Sequence, residues 1–165
     1  MIHTERPTER FFQNWRFKIA IPYLTGDVLD FGGNEGELKK FVHGEYTLVN
    51  YDYSAMEGKT FDTIVALAVV EHINIAEIYE IFKKFKEKLR PDGKIILTTP
   101  TRAAKPILNF MTRIGLADRE NIAEHKHYWN KKEIYDLAEK TGFAVKKYKK
   151  FQFSFNQLAV LKHEI

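Results

Sequence analysis

Val28-Leu29-Asp30-Phe31-Gly32-Gly33-Asn34-Glu35-Gly36 is the stretch on which the fold turns. Asp27–Phe31 reads as a short buried strand that runs straight into a glycine loop, and Glu35 to about Val42 carries helical spacing after it. Glycines between a strand and a helix let the backbone turn sharply and let a ligand approach without a Cβ in the way. Asp30 separates this loop from the dinucleotide fingerprint G-x-G-x-x-G, which has no acid there and needs room for a pyrophosphate. A carboxylate at that point suits a cationic group such as an ammonium. Asp52, sixteen residues after Gly36, closes the next apolar run (Tyr46–Tyr51), where a carboxylate suits a pair of ribose hydroxyls.

Outward from the loop, strands and helices alternate. Phe61–Ala68 is apolar through its centre, as a strand covered on both faces should be. Asn74 with Glu77 has capping-box spacing, and Ile75, Ile78, Phe82, Phe85 and Leu89 then repeat at helical steps. Pro91-Asp92-Gly93 reads as a turn before a strand over Lys94–Thr99. Residues 101–129 form an excursion with a short helix near Pro106–Ile114. Lys131–Lys140 is helical, Thr141-Gly142 stops it, and two strands follow near 143–151 and 156–162. Upstream, Phe11, Phe12, Trp15, Ile19 and Tyr23 mark an amphipathic helix over about 8–24, within an N-terminal segment of residues 1–25. The alternation predicts a three-layer α/β/α sandwich with a mostly parallel sheet and an antiparallel C-terminal strand.

The 165 residues fit one domain spanning 1–165, able to bury about 70% of its unfolded surface. With 44% hydrophobic residues a packed core is expected. No apolar run reaches the ~20 residues needed to span a bilayer, and the first residues lack a signal-peptide core. A cytoplasmic protein with no membrane partner is therefore expected. Zero cysteines exclude disulfides, thiolate zinc sites and thiol nucleophiles. The net charge of +4 permits an anionic partner without requiring one, and the Lys146–Lys150 run reads as a solvated strand edge.

Four segments together resemble the class I S-adenosylmethionine-dependent methyltransferases, close to the small type 11/12 members. Val28–Gly36 is similar to their V-L-D-x-G-x-G-x-G motif. Phe61–Ile73, ending Val69-Val70-Glu71-His72-Ile73, resembles their fourth-strand segment. Leu89–Pro100 is similar to the following L-x-P-G-G segment, and His127 to Phe143 to the H…E-L…A-G-F segment. The resemblance implies a Rossmann-like fold with S-adenosylmethionine as cofactor and S-adenosylhomocysteine as product. It implies cofactor contacts from Asp30, Gly32, Gly33, Asn34 and Gly36, a ribose contact from Asp52 with Tyr53 beside it, and a methyl-side border at Ala66, Leu67 and Ala68. Two positions depart from the family pattern. Asn34 replaces its middle glycine, and the stretch from Asp52 to Phe61 is too short for the usual helix and edge strand. A sheet lacking one edge strand is expected, with the adenine pocket either built from Tyr53, Ser54 and Met56 or incomplete.

Methyl transfer from a sulfonium needs orientation and desolvation, and a base only where the acceptor must lose a proton. His72 and His127 are the candidate bases, with Glu71 and His125 beside them in sequence; each also reads as a junction or loop residue. No metal is expected, because metal-dependent members of this fold carry E-x-x-E-H and position 68 here is Ala, although Glu71, His72 and a later His remain possible ligands as one carboxylate and two imidazoles. No (D/N/S)-P-P-(Y/F) follows the Phe61–Ala68 strand, which argues against exocyclic-amino methylation of nucleic acid. Residues 101–129 are expected to form the substrate wall, with Arg102, Lys105, Arg113 and Trp129 facing it or serving as surface charge and core. The favoured function is methylation of an O or N atom of a small molecule. A non-catalytic scaffold and an RNA methyltransferase stand as alternatives, and the sequence leaves the oligomeric state open.

Overall fold

The computed structural model describes residues 7–50, 52–115 and 125–164. Six strands form one sheet: β1 (Val28–Phe31), β2 (Tyr46–Val49), β3 (Phe61–Leu67), β4 (Leu89–Pro100), β5 (Phe143–Phe151) and β6 (Asn156–His163). Their spatial order is β2-β1-β3-β4-β6-β5. β1, β2, β3 and β4 run parallel, and β6 lies antiparallel to both β4 and β5. The expected sandwich and the shortened edge both hold. Beyond β2 the short link Asp52–Thr60 holds only a 3-10 turn, Tyr53–Met56, so β2 is itself an edge.

Alternation along the strands divides the core. Leu29, Phe31, Ile64, Ala66, Ile95 and Leu97 face the helices α2 (Ile75–Lys88) and α4 (Lys131–Lys140). Val28, Val65, Ile96, Leu158 and Val160 face the other way, against α1 (Pro7–Ala20) and the turn Glu37–Phe41. The third helix, α3 (Ala104–Arg113), follows β4 and leaves Ile107 and Phe110 exposed. Residues 116–124 of the expected substrate wall, and Tyr51 of the second apolar run, lie outside the described residues.

Three local expectations are corrected. The segment after the glycine loop is only a 3-10 turn, Glu37–Phe41, started by Gly36 in the left-handed region at φ 75°. Five residues are too few for an α-helix with a useful dipole. Pro91-Asp92-Gly93 is a bulge inside β4 and not a separate turn, since Phe61 pairs with Leu89 and Thr63 with Lys94. Asn74 precedes α2 without accepting a cap hydrogen bond; its amide donates instead to Glu77 Oε1 at 3.3 Å. The full capping box stands at α4, where Asn130 Oδ1 accepts from Glu133 N–H at 3.0 Å and Glu133 Oε2 from Asn130 N–H at 2.7 Å.

The Lys146–Lys150 run lies on the outer strand β5, where charge guards an open sheet edge. At the opposite end of the parallel strands, Arg90 clamps Asp27 and Asp62 together. None of the helices among the described residues is long and apolar enough to cross a membrane.

Candidate functional site

The carboxyl ends of β1 and β2 and the exit of β3 meet at the glycine loop. Asp30 is 3% exposed and accepts a hydrogen bond from Tyr46 Oη at 2.7 Å. Burial pushes its carboxyl up to about 6, against the pull of that bond. A buried carboxylate with one donor still lacks a countercharge, so the site favours a cationic ligand. The loop beside it is closely built. Gly32 sits at φ 74°, and a Cβ there would stand 2.6 Å from Val69 Cγ2; a Cβ at Gly33 would strike the Asp30 carboxylate.

Asn34 takes the left-handed conformation that a glycine supplies in the motif it resembles, at φ 50°. Asn50 holds it there, accepting from its N–H at 3.1 Å and donating to its C=O at 2.8 Å. Sequence reasoning missed both Tyr46 and Asn50, because only the parallel pairing of β1 with β2 brings them to the loop.

At the end of β2, Asp52 is exposed. Its Oδ1 accepts from Ser54 N–H at 2.9 Å, and that contact holds the carboxyl below its usual range. Tyr53 stacks on Phe31 with ring centroids 5.9 Å apart and carries Lys84 Nζ over its ring. Of the three residues considered for an adenine pocket, Met56 goes into the core. Tyr53 lines an open groove of about 430 Å³ with Ala76, Glu77, Glu80, Ile81 and Lys84.

β3 ends in a strained exit. Ala68 adopts φ 56° and donates its N–H to Thr98 C=O at 2.9 Å. Such a conformation is uncommon for a residue with a Cβ and concentrates at functional sites. Val69 then packs on Gly32, and the 3-10 turn Val70–His72 delivers Glu71 and His72.

Glu71 is 1% exposed, and its Oε2 has no hydrogen-bond partner among the described residues. Burial pushes its carboxyl up to about 7, opposed by its own backbone N–H, then by Arg16 and the Thr99 hydroxyl. The His72 and His125 rings meet edge to face at 4.7 Å. His125 Nδ1 lies 3.1 Å from Tyr128 Oη. Burial, then His72 and Arg16, push His125 down to about 4, so it is a neutral imidazole near pH 7. One ligand atom from each of Glu71, His72 and His125 lies within 4.8 Å of the others.

His127 is placed elsewhere. Its Nε2 pairs with Glu133 Oε2 at 3.3 Å, and its ring meets Trp129 edge to face. The structure therefore brings His125, and not His127, to His72. Trp129 is a core residue, 2% exposed, and Arg102 is engaged by Glu133.

A family model described as a methyltransferase domain matches residues 6–148. No curated protein matches the chain by sequence. Among solved structures, the pyocyanin biosynthetic protein PhzM is similar at a TM-score of 0.68 and 16% identity, covering 95% of this chain and 59% of its own. CalO1, a methyltransferase in calicheamicin biosynthesis solved in its SAH-bound form, gives 0.68 and 13%, covering 93% of this chain and 55% of its own. PH0226 from Pyrococcus horikoshii OT3 gives 0.65 and 17%, covering 98% and 95%. The chain thus spans little more than half the length of the first two. At these identities the likeness is one of fold.

Proposed function

The chain belongs to the methyltransferase domain family, and from that premise we propose that it binds S-adenosylmethionine and transfers the methyl group to an O or N atom of a small molecule. The observation that carries the reading is the buried, uncompensated Asp30 carboxylate beside a loop with no room for a Cβ at Gly32 or Gly33. That combination suits the α-ammonium of an amino-acid moiety laid close along the backbone. CalO1, similar in fold, is described in an SAH-bound form, which supports the same occupant.

When bound, the cofactor supplies a sulfonium methyl that an acceptor lone pair displaces in line, the C–S bond pair passing to sulfur to leave S-adenosylhomocysteine. Asp30 holds the ammonium. Gly32 to Gly36 line the methionine part, Asp52 takes the ribose hydroxyls with its second carboxylate oxygen, and Tyr53 flanks it. The strained exit Ala66–Ala68 borders the methyl, and the Glu71–His72–His125 cluster beyond it handles the acceptor. Arrangement of this kind accelerates transfer chiefly by holding the reacting atoms in line and excluding water.

Calorimetric titration with S-adenosylmethionine and S-adenosylhomocysteine tests the reading, with Asp52→Ala as the control. Micromolar binding that weakens by tenfold or more in the variant is expected. Absence of binding to the unaltered chain would overturn it and leave a methyltransferase-like scaffold. The acceptor class is then read by methyl transfer to pooled small hydroxyl and amino compounds.

A further inference from the structure

Glu71, His72 and His125 have the composition of a metal site. We propose that they bind one divalent transition-metal ion of the Zn²⁺ class, and that its open positions take an acceptor carrying two adjacent oxygens, such as a catechol or vicinal diol. The second clause rests on the methyltransferase reading above; the first does not.

The donor atoms lie within 4.8 Å of one another. Metal–ligand bonds of about 2.0–2.2 Å ask for separations near 3.4 Å in a tetrahedral set, a gap that side-chain rotation closes. Three further observations mark the set as built. Glu71 Oε2 is buried and makes no close hydrogen bond among the described residues, the Thr99 hydroxyl acting on the carboxyl only weakly, and an ion would complete its coordination. The segment carrying His125 is docked on Glu71's own peptide, whose carbonyl accepts from Lys126 N–H at 2.8 Å and His127 N–H at 3.2 Å. Tyr128 Oη meets His125 Nδ1 at 3.1 Å, which leaves Nε2 for the ion, as ligating histidines are ordinarily held.

The donors also choose among metals. Ala68 leaves a single carboxylate, and Arg16 adds positive charge near it. Mg²⁺ relies on oxygen ligands and full carboxylate charge and is disfavoured. Two imidazoles and one carboxylate suit Zn²⁺ or Co²⁺.

Three protein ligands leave positions open at the exit of β3, next to the strained Ala68. An acceptor hydroxyl bound there loses its proton to solvent more easily. Its oxygen pair then forms the new C–O bond as the methyl–sulfur bond breaks, the electrons staying on sulfur.

Chelator-treated full-length protein is titrated with Co²⁺, followed by its visible ligand-field absorption, and with Zn²⁺ by calorimetry. One equivalent at micromolar affinity or tighter is expected, undisturbed by millimolar Mg²⁺. His125→Ala should weaken binding by at least tenfold. Tyr128→Phe, which keeps the ring and the fold, should weaken it by about tenfold. His43→Ala, on the surface, should change nothing. No Co²⁺ absorption, or unaltered affinity in both site variants, overturns the metal site. Catechol should shift the Co²⁺ spectrum where phenol does not; equal effects overturn the chelated acceptor and leave the ion structural. S-adenosylhomocysteine binding by the same samples separates the two readings: metal without cofactor fails the methyltransferase proposal, and cofactor without metal fails this one.

Discussion

Asp30 is a buried carboxyl that the fold holds at a cost in stability. Its ordinary pKa of 3.8 rises to about 6 in the fold because burial penalises the anion. Below pH 3.8 folded and unfolded forms are both protonated and nothing is lost. Between 3.8 and 6 the unfolded chain ionises first, so stability falls as pH rises, and above 6 the loss is full, about 3 kcal/mol. Asp30→Asn, which still accepts from Tyr46, should therefore raise the melting temperature more at pH 7.5 than at pH 4.5 while abolishing cofactor binding. Thermal melts at the two pH values check this, and equal shifts would remove burial as the cause. Gly32 offers a second comparison. Gly32→Ala meets both a left-handed backbone and Val69, whereas Gly58→Ala meets only φ 68° and open space. Urea melts should place the first at about 3 kcal/mol of destabilisation and the second near 1 kcal/mol.

Among the elements, the two Asn–x–x–Glu segments behave differently despite the same spacing. Asn130 forms both bonds of its box, and Asn74 forms neither. Asn130→Ala should cost about 1 kcal/mol in chemical denaturation, and Asn74→Ala only a few tenths. The Asn130 variant should also perturb the His125–Trp129 segment, since Glu133 of that box holds His127 and Arg102 as well. The sequence reading places a box only at Asn74–Glu77, and the one that closes is at Asn130–Glu133, with the same spacing. Which one closes depended on whether the side chain had a competing partner, and Asn74 hydrogen-bonds to Glu77 Oε1 rather than capping the backbone. The 3-10 turn after the glycine loop was likewise hidden: the period of Leu38 and Phe41 fits a helix, but the connection from Gly36 to β2 ends too soon to complete one.

At the scale of the whole molecule, the sheet's two faces are covered unequally. α2 and α4 seal one face, with Ile78, Phe82, Phe85, Ile134 and Leu137 almost wholly buried. On the other, α1 contributes Trp15, Phe17 and Ile19 only partly buried. Phe82→Ala should cost about 3–5 kcal/mol, and Phe17→Ala about half that or less, because its site already reaches water. Amide hydrogen exchange should show α1 opening at lower free energy than α2. Arg16, on α1, acts electrostatically on Glu71 and His125, so this helix bears on the candidate site.

The sandwich and the glycine loop with its acid were legible in local chemistry: apolar period, glycine punctuation and a carboxylate at a fixed step from a turn. The family and the missing edge strand came from the four motifs that resemble the methyltransferases and from a link shorter than theirs. Tertiary structure alone decided who meets whom across the loops. Tyr46 reaches Asp30, and Asn50 reaches Asn34, through the pairing of two parallel strands. Two backbone hydrogen bonds to Glu71 carbonyl then bring His125 to His72, while Glu133 draws His127 away. His125 and His127 are alike in type and two residues apart, so no local pattern separates them. Only the docking of their segment against the β3 exit does.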